Sequence, residues 1–172
     1  MNFNRLVDQL ERFRNILPVL VDGIDPIDLR WKPDSGAWSI LEVICHLSDE
    51  EMDDFRTRLK LTLESPTASW PRIDPPKWAI ERRYNEQEPS EATKRFVRER
   101  EASIRWLRSI EKFDPESTHT HPKFGSMKAG ELLTAWVAHD ALHLRQIAKR
   151  LHELASHHGA PYGSGYAGDW VA

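Results

Sequence analysis

The stretch from about residue 128 to residue 155 predicts one long helix whose apolar stripe contains histidine. His139 and His143 lie on that stripe between Trp136 and Ile147, at positions where the spacing calls for apolar side chains. Four residues span about one helical turn, so both imidazoles leave the same face, about 6 Å apart. Burying such rings without partners is costly. A metal ion is one partner that would satisfy both.

Three other segments show helical spacing of apolar residues and predict the rest of the fold. The first helix is expected at about 3–22, the second at about 39–64 and the third at about 90–112. Ser39, followed three residues later by Glu42, predicts a capping box at the start of the second helix. Four helices of this length predict an all-α protein, a four-helix bundle.

The connections between these helices carry most of the prolines. Residues 65–89 contain five prolines and no clean period, which predicts a long loop between helices two and three. Pro26 and Pro33 predict an extended connector after helix one. No segment predicts a pair of strands.

Composition restricts the class of protein. The 172 residues predict a single domain covering 1–172. The 24 Lys and Arg against 27 Asp and Glu give no basic excess that would favour nucleic acid. No segment approaches the roughly 18 apolar residues of a membrane span, and the single cysteine, Cys45, suits a reducing compartment. We therefore expect a cytoplasmic protein that binds a small-molecule substrate and neither nucleic acid nor membrane.

A third histidine makes the metal hypothesis more specific. His46 lies on or beside the buried face of helix two, and a bundle can bring facing helices together around a metal. Zinc-type sites with three protein ligands keep a position open for water or substrate. The alternative is that the histidines are simply buried and hydrogen-bonded, since His139 and His143 lack the intervening Glu of a zinc-protease motif. The placement of three imidazoles on two core faces favours metal.

Several residues near the predicted site receive weaker interpretations. Asp49 and Glu50 follow His46 by three and four residues, so one of them could face a metal, yet solvated positions are expected for both and for Asp140. Gln146, one turn past His143, could form a second-shell hydrogen bond.

The remaining polar candidates are expected to have ordinary surface or packing roles. His119 and His121 fall in a loop and could line a pocket, although we expect solvent-exposed rings. We expect Arg56 and Arg58 to form surface ion pairs. We expect Cys45 to be a small buried side chain rather than a metal ligand.

Two segments resemble helices of the DinB-like proteins, a family that includes YfiT-type hydrolases and bacillithiol transferases. The resemblance covers most of the chain. It is carried by Trp38-Ser39-Ile40-Leu41-Glu42 with His46-Leu47 and Glu51, and by His121-Pro122 with Gly125, Glu131-Leu132-Leu133, Trp136, His139-Asp140, His143-Leu144 and Gln146-Ile147.

The resemblance implies a bundle, often a homodimer, with one divalent metal bound by His46, His139 and His143. It also implies an enzyme that activates either a low-molecular-weight thiol, as a transferase, or water, as a hydrolase; the thiol reading is slightly preferred. Three imidazoles suit Zn or Ni first, with Fe, Cu or Mn as alternatives. A third interpretation is a non-catalytic dimeric module whose metal is structural. Whether the chain is an enzyme therefore stays open at this stage.

Overall fold

Seven α-helices and one β-hairpin make up the computed structural model, which describes residues 1–121, 125–168 and 170. Four long helical segments, which we call rods, form the predicted four-helix bundle. The helices are α1 (Phe3–Val21), α2 (Pro26–Arg30), α3 (Ile40–Asp49), α4 (Arg56–Glu64), α5 (Pro75–Glu81), α6 (Pro89–Ser109) and α7 (Ala129–Gly159). The rods are α1, α3 continued by α4, α6 and α7. No helix within the described residues is long and apolar enough to cross a membrane.

The second rod begins as predicted but is not a uniform α-helix. Ser39 Oγ accepts a hydrogen bond from the Glu42 backbone N–H at 3.1 Å, and the Glu42 carboxylate accepts one from the Ser39 N–H at 2.8 Å, which confirms the capping box. A π-helical segment, Glu50–Phe55, then joins α3 to α4. Such wide turns are often found at functional sites.

The rods pack in an order that differs from their order along the chain. α1 packs against α6 and α7, and α3 with α4 packs against the same two helices. Going around the bundle, the order is therefore α1, α6, α3–α4, α7. The first and second rods lie diagonally opposite each other, as do the third and fourth.

The expectation of unstructured connections was wrong in two places. The long connection after α4 contains α5 and a short 3-10 turn, Tyr84–Glu86, and the connector after α1 contains α2. Asp25 and Asp74 each cap a helix through the side chain, and proline follows at once as the first helical residue. Helices of five and seven residues are too short to show a periodic apolar stripe, so the capping residues were the sequence features that indicated them.

The expectation that the chain has no strand pair was also wrong. β1 (Thr118–His121) and β2 (Gly125–Lys128) pair antiparallel, with Thr118 opposite Lys128. β1 is a run of alternating threonine and histidine, which lacks the apolar alternation that usually predicts a strand. The hairpin leads directly into α7.

The interior consists of two apolar clusters. The first surrounds α3 and contains Phe13, Leu17, Ile40, Ile44, Leu47, Phe96, Ile147 and Leu154 among others. The second lies toward the start of α7 and contains Val7, Leu10, Leu59, Ile104, Leu107, Leu132 and Trp136 among others. Each rod contributes residues to both clusters, and the change from one cluster to the other falls near the middle of the rod.

A buried polar layer separates the two clusters. The guanidinium of Arg100 on α6 donates to both carboxylate oxygens of Asp140 on α7, at 2.6 and 2.7 Å, and to Glu51 of the π segment at 2.7 Å. It also donates to the backbone oxygen of Leu10 on α1 at 3.3 Å, and Trp136 donates its indole N–H to Glu51 at 2.9 Å. All four rods therefore meet at one side chain.

Candidate metal centre

Three imidazoles converge between α3 and α7. The Nε2 atoms of His139 and His143 are 3.0 Å apart, and the Nε2 of His46 lies 3.4 Å from the first and 3.1 Å from the second. The three histidines named from the sequence therefore lie together, although their separation along the chain exceeds 90 residues for each inter-helix pair. All three rings present the same nitrogen to a common point.

The helices fix this arrangement by burying the rings against aromatic neighbours. His46 is buried in a helix with no exposed face, whereas His139 and His143 are half-buried. Trp38 lies against His46 with ring centroids 5.0 Å apart, and Phe55 meets His139 edge-on at 5.1 Å. Trp38 was expected from the sequence either to wall a pocket or to close the end of a core, whereas Phe55 was missed, because an aromatic residue within a helix is compatible with ordinary packing.

The geometry fits a single metal ion. Zinc–imidazole bonds of about 2.0–2.1 Å in a tetrahedral sphere would separate ligand nitrogens by about 3.3 Å. The observed separations run from 3.0 to 3.4 Å. Three neutral imidazoles also cannot satisfy one another, since each Nε2 carries either a lone pair or a single proton.

Gln146 supplies the partner expected for one of the rings. The Nδ1–H of His143 donates to the Gln146 side-chain oxygen at 2.8 Å, which confirms the predicted hydrogen bond between these two residues. With its proton on Nδ1, His143 turns a lone pair on Nε2 toward the other two rings.

The electrostatics keep the three rings neutral. Burial, helped by the neighbouring His143, lowers the pKa of His46 to about 3. Burial lowers the pKa of His139 to about 2, and it lowers the pKa of His143 as well, although the bond to Gln146 opposes that shift. Neutral imidazole is the form that can ligate a metal.

The three imidazoles form an open set of donors among the residues that the structure describes. Within the residues that the structure describes, no further His, Cys, Asp or Glu atom joins the three imidazoles as a potential ligand. Because His139 and His143 are only half-buried, the cluster retains contact with solvent. A three-donor set with one open side is the arrangement of catalytic rather than structural zinc sites.

The expectation of solvated carboxylates around the site was wrong. Asp140 and Asp49 are buried, the first in the polar layer and the second against Tyr84, Arg82 and Arg95. Burial raises the pKa of Asp140 to about 6, although its Arg partner opposes the rise. Both carboxylates have cationic partners, which is the usual condition for burying such a group.

Glu50 is also buried and points toward the site. Its Oε1 lies 3.7 Å from the Nδ1 of His46. Its carboxyl group hydrogen-bonds to Asp54, and burial is the main cause that raises the pKa of Glu50 to about 9. Asp54 in turn pairs with Arg58 at 2.8 Å, where both side chains are largely buried. Arg58 is therefore not the surface residue that the sequence suggested.

The other candidates lie away from the cluster. Arg56 pairs with Glu99 at 3.1 Å in a largely buried position, contrary to expectation. His119 is buried rather than exposed, and it stacks on Trp70 with centroids 4.4 Å apart. The side chain of His121 falls outside the described residues. Cys45 is buried and outside the imidazole cluster, as predicted.

A family model described as the DinB superfamily matches residues 9–147. The chain belongs to the DinB superfamily. The matched range contains all four rods except the first residues of α1 and the last residues of α7. It includes all three clustered histidines.

Named relatives and a solved structure agree with this membership. Two candidate metal-dependent hydrolases of Oceanobacillus iheyensis are similar to this DinB-superfamily chain. OB0782 is 29% identical over 146 residues, which is 84% of this chain and 83% of the relative. OB0413 is 29% identical over 141 residues, 81% and 79% of the two chains. The structure of YfiT from Bacillus subtilis, described as a probable metal-dependent hydrolase with an unusual four-helix bundle topology, superposes with a TM-score of 0.79 at 19% identity and covers 89% of this chain and 87% of its own.

Proposed function

We propose that this protein is a metal-dependent hydrolase in which His46, His139 and His143 hold one divalent ion. The observation that carries the proposal is the convergence of three Nε2 atoms within 3.4 Å of one another. The absence of a fourth donor among the described residues supports a site that accepts substrate or water.

The chain's own residues prepare the site for this role. Burial keeps the imidazoles neutral, so their lone pairs are available at ordinary pH. Gln146 fixes the orientation and the proton position of His143. Trp38 and Phe55 pack beside His46 and His139, so two of the ligand rings cannot turn away without disturbing an aromatic neighbour. When bound, a divalent ion supplies Lewis-acid activation of a water molecule or a thiol.

Hydrolysis is preferred over thiol transfer because the similar Oceanobacillus proteins and YfiT are described as hydrolases. The slight preference for a thiol at the sequence level came from the family resemblance alone, and no contact in the described structure selects a thiol. Transfer of a small thiol to an electrophile remains the competing activity, and a structural metal in a dimeric module is the non-catalytic one.

Metal content is the first test. Protein purified without an affinity tag or chelator should contain about one divalent ion per chain. His46→Ala and His139→Ala should each remove most of it, while His152→Ala, a matched change on α7 outside the cluster, should not. Elemental analysis by mass spectrometry measures the result. Unchanged metal content in both site variants would remove the site.

Activity is the second test. Metal-loaded protein should hydrolyse some member of a panel of esters and amides, and His143→Ala should abolish turnover while the far-ultraviolet circular dichroism stays helical. The same protein is then assayed with small thiols and electrophilic acceptors. Activity only in the thiol assays would replace hydrolysis by transfer. Inactivity in every assay with metal bound would favour the structural reading.

A further inference from the structure

Two buried polar atoms face each other just outside the imidazole cluster. The Nδ1 of His46 and the Oε1 of Glu50 are both inaccessible to solvent, and neither has a hydrogen-bond partner within the described residues. They lie 3.7 Å apart, one turn from each other on the same rod. A hydrogen bond between N–H and oxygen needs about 2.7–3.2 Å, so a small rotation of either side chain would close the pair.

The chemistry of the cluster decides which atom of His46 carries the proton. If Nε2 is a ligand, it must be a lone pair, and the proton of the neutral ring must then sit on Nδ1. That N–H needs an acceptor in a buried position. Glu50 Oε1 is the unpartnered acceptor next to it. On the opposite helix, Gln146 already plays this part for His143 at 2.8 Å.

Glu50 is itself held in place along the rod. Its carboxyl group hydrogen-bonds to Asp54, and Asp54 pairs with Arg58 at 2.8 Å. His46, Glu50, Asp54 and Arg58 follow one another at four-residue intervals through the π segment. The row therefore leads from the cluster to Arg58, whose guanidinium lies 5.1 Å from the ring of Trp70.

We infer that Glu50 is a positioning residue: its Oε1 accepts the Nδ1–H of His46 and thereby holds the Nε2 lone pair toward the other two histidines. The inference rests on the proposed metal site. It assigns Glu50 no contact with substrate and no part in the reaction itself. Contacts of this kind are often longer in a metal-free geometry and shorten when the site is complete.

The first experiment uses metal-free protein, so that it reports on Glu50 even if the metal proposal fails. Nitrogen-15 spectra of histidine-labelled protein distinguish a protonated from an unprotonated Nδ1, and His46 is assigned by its loss in His46→Ala. Wild-type His46 should carry its proton on Nδ1, and Glu50→Ala should shift the ring toward a mixture of tautomers. A wild-type ring protonated on Nε2 would overturn the inference.

The second experiment measures zinc affinity by competition with a chelator. Glu50→Ala should weaken binding about 10- to 100-fold, the usual effect of removing an outer partner of a ligating histidine. Glu50→Gln keeps an acceptor oxygen and should stay close to wild type. Ser48→Ala is the matched control, because its hydroxyl bonds only to the Ile44 oxygen of its own helix, at 3.0 Å.

The outcomes separate the two proposals. A wild-type protein that binds no zinc refutes the metal site, while the proton position of His46 in metal-free protein still decides whether Glu50 accepts the Nδ1–H. Zinc binding that Glu50→Ala leaves unchanged overturns the positioning role alone. Equal losses in Glu50→Ala, Glu50→Gln and Ser48→Ala would indicate general damage to the helix and would likewise overturn it.

Discussion

The histidine cluster and the Arg100 layer are two buried polar groups that adjoin at one peptide bond, because His139 belongs to the first and Asp140 to the second. In the layer, one cation faces two carboxylates through three short hydrogen bonds from a single guanidinium. In the cluster, three neutral rings of the same type face one another. In the layer, both carboxylates have the Arg100 cation as a partner, whereas the cluster consists of neutral donors alone.

This difference indicates that the two groups have different roles in the bundle. The layer connects four rods through its own charges and hydrogen bonds, so its role is structural. Three neutral imidazoles contribute little to the fold by themselves, which agrees with the binding role proposed above. The following predictions test whether the two groups behave as differently as their contacts imply.

The largest effect should come from breaking the layer. Arg100→Met leaves the carboxylates of Glu51 and Asp140 buried without their cation, and we expect the free energy of unfolding to fall by about 3–5 kcal/mol. Urea denaturation followed by circular dichroism measures this. Arg105→Met, which removes an exposed ion pair with Glu101 on the same helix, should cost less than about 1 kcal/mol. Equal costs for the two variants would contradict the structural role of the layer.

A substitution in the histidine cluster should change the free energy of unfolding much less than one in the layer. In metal-free protein His139→Leu should change the free energy of unfolding by less than about 1.5 kcal/mol, since an apolar side chain of similar size replaces an uncompensated ring. Free metal at 100 times its dissociation constant should stabilise wild type by about 2.7 kcal/mol and the variant hardly at all. Thermal denaturation with and without chelator checks both parts. A metal-free variant as damaged as Arg100→Met would show that the rings hold the fold together.

The pH dependence of metal-free protein should also distinguish the two groups. His46 and His139 have pKa values near 3 and 2 in the folded protein and near 6.5 when unfolded. The unfolded chain therefore binds protons that the folded chain excludes, so stability is present above pH 6.5 and is lost as pH falls toward 3. Each ring contributes at most about 1.4 kcal/mol per pH unit to this slope.

The raised pKa of Asp140 acts in the other direction. The pKa of Asp140 is about 6 in the folded protein and 3.8 in the unfolded chain. Between these two pH values the folded protein binds the proton more tightly, so the contribution of Asp140 to the free energy of unfolding rises as pH falls. The pKa of Glu50, which burial raises to about 9, acts in the same direction as that of Asp140, so the comparison of variant with wild type isolates the ring. As pH falls from 7 to 4, the His139→Leu variant should lose less, or gain more, free energy of unfolding than wild type; identical pH profiles would contradict the low pKa of that ring.

The smallest effect should come from a defect outside both groups. Ser39→Ala removes the cap of the rod that carries His46 and should cost about 1 kcal/mol. Metal stoichiometry should stay at the wild-type value, because the cap holds the start of α3 and touches neither group. Loss of metal in Ser39→Ala would show that the cluster depends on the helix end and not only on local packing.

The rods and the triad were predictable because each left a periodic mark in the sequence. Histidine at apolar positions of two stripes is an uncommon pattern, and it indicated the cluster correctly. Arg100 left the same kind of mark, since it lies four residues from both Phe96 and Ile104 on the stripe of α6. Its burial was nevertheless not predictable from this position alone, because an isolated charge on a helix is usually solvated.

Other features had no local signature. The π segment depends on tertiary packing, and nothing in Glu50–Phe55 separates it from an ordinary helical turn. Whether Glu50 faces solvent or the cluster depends on that segment, so its burial was not predictable. The expected homodimer and the cytoplasmic location stay predictions.

The diagonal placement of successive rods also determines when the site can exist. His46 and His143 are separated by 97 residues, and the whole third rod, α6, is synthesised between them. At synthesis rates of 5–20 residues per second, the first histidine leaves the ribosome roughly 5–20 s before the last. Between the synthesis of His46 and that of His119, the growing chain contains one imidazole. A metal held by all three rings would therefore be selected in the finished fold, where the spacing of the rods, rather than the order of encounter, decides which ion fits.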